Sequence, residues 1–214
     1  MKMVEDVFSL ADVIGAQEFH LVGHDWGSAI GWYSVMKQPN RILSFTGLSV
    51  PHPHAFFSSV QNDPDQKSKS WYFTLFNLPL VPEVALSMNN FRALQIEYQV
   101  MSSTKKNDFL KVFREPGALT AALNWYRAAG TVENILELQG LDPNISTPTL
   151  FIWGKQDNAI ARHATESMSS FMKGPYDRIE IDAGHRLISE KPSVVLPKII
   201  DHILDNEPFA TPVL

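Results

Sequence analysis

The chain is expected to fold as an α/β protein whose parallel sheet is interrupted by a helical insertion. Short apolar, strand-like runs alternate with helical periodicity at both ends, over 1–53 and 145–214. The stretch 54–144 between them carries helical patterning and no convincing strand. Alternation of this kind needs crossover connections, and crossovers make neighbouring strands parallel.

Val4, Val7, Phe8, Leu10, Ala11 and Ile14 recur at helical spacing and stop at Gly15. "FHLVG" then reads as a strand, "SAIGWYSVMKQP" as a helix closed before Pro39, and "ILSFTGLSV" as a second buried strand. Pro79, Pro82 and Pro116 punctuate the helical middle, whose position predicts a lid or cap. Beyond Pro148, "TLFIWG" is a strand, "ARHATESMSSFM" a helix and "YDRIEIDA" a strand. "PSVVLPKIIDHIL" closes the pattern as a helix despite Pro197. Four strands bury little, and "FHLVG", as the first of them, falls at a sheet edge with its backbone unpaired on one side.

Composition removes several function classes. The 214 residues, 44% of them hydrophobic, suit one globular domain or one domain carrying an insertion. A net charge of -5 without a basic patch argues against nucleic acid or an anionic membrane as partner. The absence of cysteine rules out disulfides, thiolate nucleophiles and zinc–thiolate sites. No apolar run approaches the roughly 18 residues of a membrane span, and the first ten residues lack the core of a signal peptide. A soluble, cytoplasmic protein is the expectation. No paired ligand set points to a metal, and no cofactor is expected.

The chemistry is concentrated in Gly23-His24-Asp25-Trp26-Gly27, which joins a strand to a helix. Glycines permit a sharp turn where a Cβ would clash, so Asp25 is expected to jut from the carboxyl end of the strand, where open α/β sheets bind ligands. The Trp26 amide, at the helix N-terminus, is placed to donate to a developing anion. The competing reading makes Asp25 a helix N-cap and nothing more.

This arrangement resembles the nucleophile elbow of the α/β-hydrolase superfamily, in the branch where aspartate replaces serine and which contains epoxide hydrolases and haloalkane dehalogenases. The resemblance implies an acid and a histidine downstream, in that order. Asp157, a few residues beyond "TLFIWG", matches the acid. His185 matches the base, in a Gly-His…Glu-x-Pro context, although Arg186 stands where many relatives carry an aromatic residue. A carboxylate with an ordinary pKa near 3.9 is ionised at neutral pH without help from a base. It displaces competent leaving groups on saturated carbon and gives an alkyl ester, which a water activated by His185 then hydrolyses. Esterase, lipase and peptidase chemistry is disfavoured on that ground.

Epoxide and halide call for different assistance. An epoxide opens to an alkoxide that wants a proton, which a tyrosine hydroxyl supplies, whereas a halide leaves as a weakly basic anion held by N–H donors. The resemblance implies two lid tyrosines. Tyr72, in "SWYFTLFNLP", stands seven residues before Pro79, and Tyr126 stands in "LNWYR". Trp71 and Trp125 beside them are expected to wall the substrate pocket. Tyr33, Tyr98 and Tyr176 match no implied position, and His24, His52 and His54 are given no chemistry. The sequence therefore points to opening of small apolar epoxides to vicinal diols through Asp25. A haloalkane dehalogenase, for which Trp26 would serve as a halide donor, and a degenerate scaffold that only binds a ligand or partner are the alternatives.

Relatives also carry strands upstream of the elbow and a His-Gly-x-Pro loop that supplies a second oxyanion-hole amide. No His-Gly-x-Pro occurs here. The resemblance thus implies a chain lacking that N-terminal portion, with the Trp26 amide as its one oxyanion donor, ester hydrolysis impaired and the alkyl-enzyme accumulating. An apolar sheet edge left open predicts homo-oligomeric association or low stability.

Overall fold

The computed structural model describes residues 2–129 and 140–208. The chain divides into two compact units, one of Met1–Lys67 with Gly140–Leu214 and the other of Ser68–Gln139.

The first unit opens with α1 (Lys2–Val13), β1 (Phe19–His24), α2 (Trp26–Lys37), a 3-10 turn (Pro39–Arg41), β2 (Ile42–Leu48), α3 (Pro53–Asn62) and α4 (Pro64–Lys69), whose last two residues fall past the division at Lys67. The second unit contains α5 (Trp71–Phe76), α6 (Val81–Glu97), α7 (Ser103–Phe113) and α8 (Ala118–Ala129). The first then resumes with β3 (Thr149–Gly154), α9 (Arg162–Ser167), a 3-10 turn (Met168–Phe171), β4 (Tyr176–Ile181), α10 (Leu187–Glu190) and α11 (Pro192–Asp205).

The four strands form one parallel sheet in the order β1-β2-β3-β4. β2 and β3 are buried along almost their whole length. Helices on both faces leave no solvated side, so β3 is apolar throughout its middle and β2 interrupts its apolar run only with the small, buried Ser44, Thr46 and Gly47. Successive β3 side chains feed two separate cores. Phe151 and Trp153 join Val4, Phe8, Trp32 and Phe45 on one face, while Leu150 and Ile152 join Leu48, Ile181, Leu187 and Val195 on the other. β1 occupies the edge, hydrogen-bonded to β2 alone among the described strands, with Val22 exposed.

Two expectations are adjusted, and the helix expected to continue through Pro197 is present. Residues 54–67, on helices α3 and α4, were expected in the insertion but belong with the sheet. Ala55 and Ser59 are buried there, and the fully buried Gln66 donates to the Ala159 carbonyl (2.9 Å) and accepts from the Ala161 amide (2.8 Å). The division therefore falls at Lys67 and Gly140 instead of 53 and 145; of the expected insertion, 130–139 lies outside the described residues. The helix expected over "ARHATESMSSFM" tightens into a 3-10 turn from Met168, where i→i+3 bonds satisfy terminal carbonyls and Met168 and Phe171 pack into the first core. In α11 the helix runs through Pro197, on its exposed side, where water can serve the carbonyl that proline leaves without a donor.

In the second unit α8 packs on α5, α6 and α7. Helix α6 is interrupted, with Asn89, Asn90 and Phe91 all at left-handed φ of 50, 56 and 61°. The Asn90 side chain accepts from Arg114 (2.9 Å) across that break. No helix among the described residues is long and apolar enough to cross a membrane.

Candidate active site

Asp25 lies between β1 and α2 with φ 56° and ψ -122°, a strained region for a non-glycine residue. A Cβ on Gly23 would stand 2.3 Å from the Gly27 carbonyl oxygen, so the strand and helix cross here only because residue 23 is glycine. Gly27 was expected to be required on the same ground, yet a Cβ there meets open space. Asp25 occupies the N-cap position of α2 but makes no side-chain capping bond. The capping alternative therefore does not account for its carboxylate. Asp25 keeps 42% of its side chain exposed and turns it to His185.

The Nε2 atom of His185 is 3.1 Å from Asp25 Oδ1, and its Nδ1 is 2.9 Å from Asp157 Oδ2. Asp157 follows β3, and its side chain is wholly buried. Its other oxygen, Oδ1, accepts from the amides of Ala159 (2.8 Å) and Ile160 (2.9 Å), which fixes the carboxylate plane. Asp25, His185 and Asp157, all expected from sequence, thus meet in one hydrogen-bonded chain.

Burial alone would pull the His185 imidazole down, but hydrogen bonds to Asp157 and Asp25, with their charges, outweigh it and push the group up to about 10. Burial works in the opposite sense on Asp25, raising it. The His185 hydrogen bond and charge, helped by the Trp26 amide, carry it below the ordinary carboxylate value. At neutral pH the site therefore holds an ionised Asp25 beside an imidazolium.

Residues for which no role was expected hold this hydrogen-bonded chain in place. The His185 carbonyl accepts from Ser49 Oγ (2.7 Å) and from His24 Nε2 (2.9 Å). The Glu190 carboxylate accepts from the Gly184 amide (2.7 Å), which ties the His185 loop to α10. Gln66 bridges two backbone groups of the loop that follows Asp157. His24 and Glu190 stand inside the motifs that pointed to the site, so their neighbourhood was legible. Ser49 and Gln66 carry no local signal. Among the described residues, no group of three or more His, Asp or Glu side chains is arranged to hold a metal ion.

Within the second unit the structure brings Tyr72, on α5, and Tyr126, on α8, together, with ring centroids 5.9 Å apart and nearly perpendicular. Phe73 and Phe76 pack edge-on against Tyr126. Arg127 organises this cluster: its guanidinium donates to the carbonyls of Phe76 (3.2 Å) and Leu78 (2.9 Å) and pairs with both Glu83 oxygens (2.9 and 3.0 Å). That bond draws Glu83 below the usual carboxylate range. Trp71 and Trp125, expected as pocket walls, are 65% and 38% exposed.

The model of the alpha/beta hydrolase fold family matches residues 2–192. Epoxide hydrolase 4 of Homo sapiens is 28% identical over 207 residues, covering 90% of this chain and 55% of that protein. AB hydrolase superfamily protein YfhM of Bacillus subtilis is 27% identical over 208 residues, covering 93% of this chain and 70% of that protein. The chain spans about half the length of the human relative. A crystal structure of a mutant epoxide hydrolase from Bacillus megaterium superposes with a TM-score of 0.82 at 21% identity, over 94% of this chain and 74% of that one, a likeness of fold. With the elbow, the ordered acid and histidine and the helical insertion in place, this chain belongs to the alpha/beta hydrolase fold family, and proteins named epoxide hydrolase are among its relatives.

Proposed function

We propose that the chain is a hydrolase that opens small apolar epoxides to vicinal diols through an alkyl ester on Asp25. The observation that carries the reading is the uncapped Asp25 carboxylate at the elbow, hydrogen-bonded to a histidine that Asp157 orients. A carboxylate that neither caps its helix nor pairs with a permanent cation keeps a lone pair for attack on carbon.

In the first step an Asp25 oxygen bonds to an epoxide carbon as the carbon–oxygen bond of the ring breaks. The leaving alkoxide takes a proton from the tyrosine pair, Tyr72 and Tyr126, since a phenol is a far stronger acid than an alcohol. Esterification also changes His185. Asp25 loses its charge, one of the two charges that hold the imidazole protonated is gone, and the proton becomes easier to release. The neutral ring then takes a proton from water, and the hydroxide adds to the Asp25 carbonyl carbon. Negative charge grows on an oxygen that belongs to Asp25 itself, which the Trp26 amide already serves as a hydrogen-bond donor. The proton that His185 gave up earlier returns to the tyrosinate. Collapse then breaks the acyl–oxygen bond, the leaving alkoxide takes the proton of the newly formed imidazolium and departs as the diol, and the Asp25 carboxylic acid passes its proton back to His185.

A single turnover in ¹⁸O-labelled water tests this. Attack at the Asp25 carbonyl carbon places the label in Asp25 and leaves the first diol unlabelled. Label in the first diol, with none in Asp25, would mean direct attack of water on the epoxide and would end the reading.

A further inference from the structure

Strand β2 supplies no member of the Asp25–His185–Asp157 chain, yet its carboxyl end reaches His185. Ser49, the first residue beyond β2, is fully buried and holds φ 66°. That conformation is uncommon for a serine and persists only where surrounding contacts enforce it. Its Oγ donates to the His185 carbonyl at 2.7 Å. His24 Nε2 lies 2.9 Å from the same oxygen, and because a carbonyl only accepts, His24 is the Nε2–H tautomer. The two imidazole rings stand 5.3 Å apart. One carbonyl is thus gripped by donors from two strand ends, β1 and β2. The carbonyl and the side chain of His185 leave the same Cα region, so holding the first restricts the swing of the second.

We propose that Ser49 and His24 are a positioning pair for His185 that serves hydrolysis of the ester and not its formation. The inference rests on Asp25 as nucleophile and His185 as base. Ester formation needs an Asp25 oxygen and a proton for the alkoxide, and the imidazole moves no proton in it. Hydrolysis needs the imidazole Nε2 aimed at a water within hydrogen-bond reach, and a tilted ring loses that water.

Ser49→Gly removes the hydroxyl while relieving the strained φ, His24→Leu removes the other donor, and His24→Gln keeps an amide N–H at a similar reach. Two measurements on the full chain separate the possibilities. Nitrogen-resolved NMR of the His185 ring reads its hydrogen-bonded Nδ1 proton without any substrate. Rapid quenching with an aryl epoxide resolves ester formation from ester decay. Each single donor loss is expected to slow ester decay about tenfold, in line with one hydrogen bond, and the two together about 100-fold. Ester formation stays unchanged, His24→Gln recovers most of the loss, and the Nδ1 proton signal broadens in the double variant. Equal slowing of both steps, or an unaltered His185 spectrum in the double variant, would overturn the pair. If the unmodified chain forms no ester with an epoxide or a bromoalkane, the nucleophile reading has failed, and the spectrum still decides whether Ser49 and His24 hold the imidazole.

Discussion

His185 Nε2 stands 3.1 Å from Asp25 Oδ1, so in the resting site the histidine faces the carboxylate directly. A base in that place is occupied until the carboxylate is consumed. In the proposed reaction this geometry orders the events: Asp25 attacks first, and His185 acquires its task only when the ester has formed.

Replacing His185 by Gln should therefore leave ester formation intact and slow its hydrolysis by on the order of 10²–10⁴, the usual weight of a general base. Intact-protein mass spectrometry after incubation with an aryl epoxide is expected to find the alkyl adduct persisting on Asp25. Asp25→Asn is expected to show none.

The proposed role of the tyrosine pair separates the two leaving groups. Tyr72→Phe combined with Tyr126→Phe should lower epoxide opening by at least about 10²-fold and leave bromide release from a bromoalkane largely unaffected. Loss of both activities together would assign the pair to packing of the α5–α8 cluster instead.

Stability should depend on pH through His185. Its folded value of about 10 lies above the 6.5 of an unfolded imidazole, so the folded state binds the extra proton between those values. The stabilisation is complete below pH 6.5 and is lost as pH rises through 10. Asp25, lowered from 3.8, acts with the opposite sense: its contribution is present above 3.8 and is lost on acidification through its folded value. Denaturant unfolding across pH 6 to 10 is expected to give a falling stability, with a flatter profile for His185→Asn.

Gln66→Leu should cost about 2–4 kcal/mol, because it strands the Ala159 carbonyl and the Ala161 amide in a buried site. Urea unfolding measures this. A loss below about 1 kcal/mol would mean that water or a neighbouring group replaces the amide.

The parallel sheet was legible because β2 and β3, covered on both faces, leave largely apolar runs broken in β2 only by the small residues Ser44, Thr46 and Gly47. The elbow was legible because a carboxylate between two glycines at a strand end has few purposes. What escaped was the support. A buried Gln66 in "NDPDQK" looks like solvated loop, since the acceptor and donor it satisfies lie nearly a hundred residues away and leave no periodic trace. Ser49 is likewise one small polar residue at the end of a strand. Only its backbone angle and the carbonyl it meets distinguish it, and neither is written in local sequence. The insertion boundary was misplaced for a related reason: helical pattern says that 53–67 forms helices, not which core they cover.

The sheet order has a consequence for how the site tolerates change in chain length. Asp25 and His185 leave strands three positions apart, a separation of about 14 Å at ordinary strand spacing, yet Oδ1 and Nε2 lie within hydrogen-bond distance. The segment from Asp182 to His185 covers that gap by running sideways over the ends of β3 and β2. Each residue of chain supplies at most about 3.5 Å of reach. Deleting one residue there would pull the imidazole back by more than a hydrogen bond can stretch, and adding one would let it drift. The loop thus acts as a gauge of fixed length, and natural variation in this segment should appear as substitutions, not as gaps.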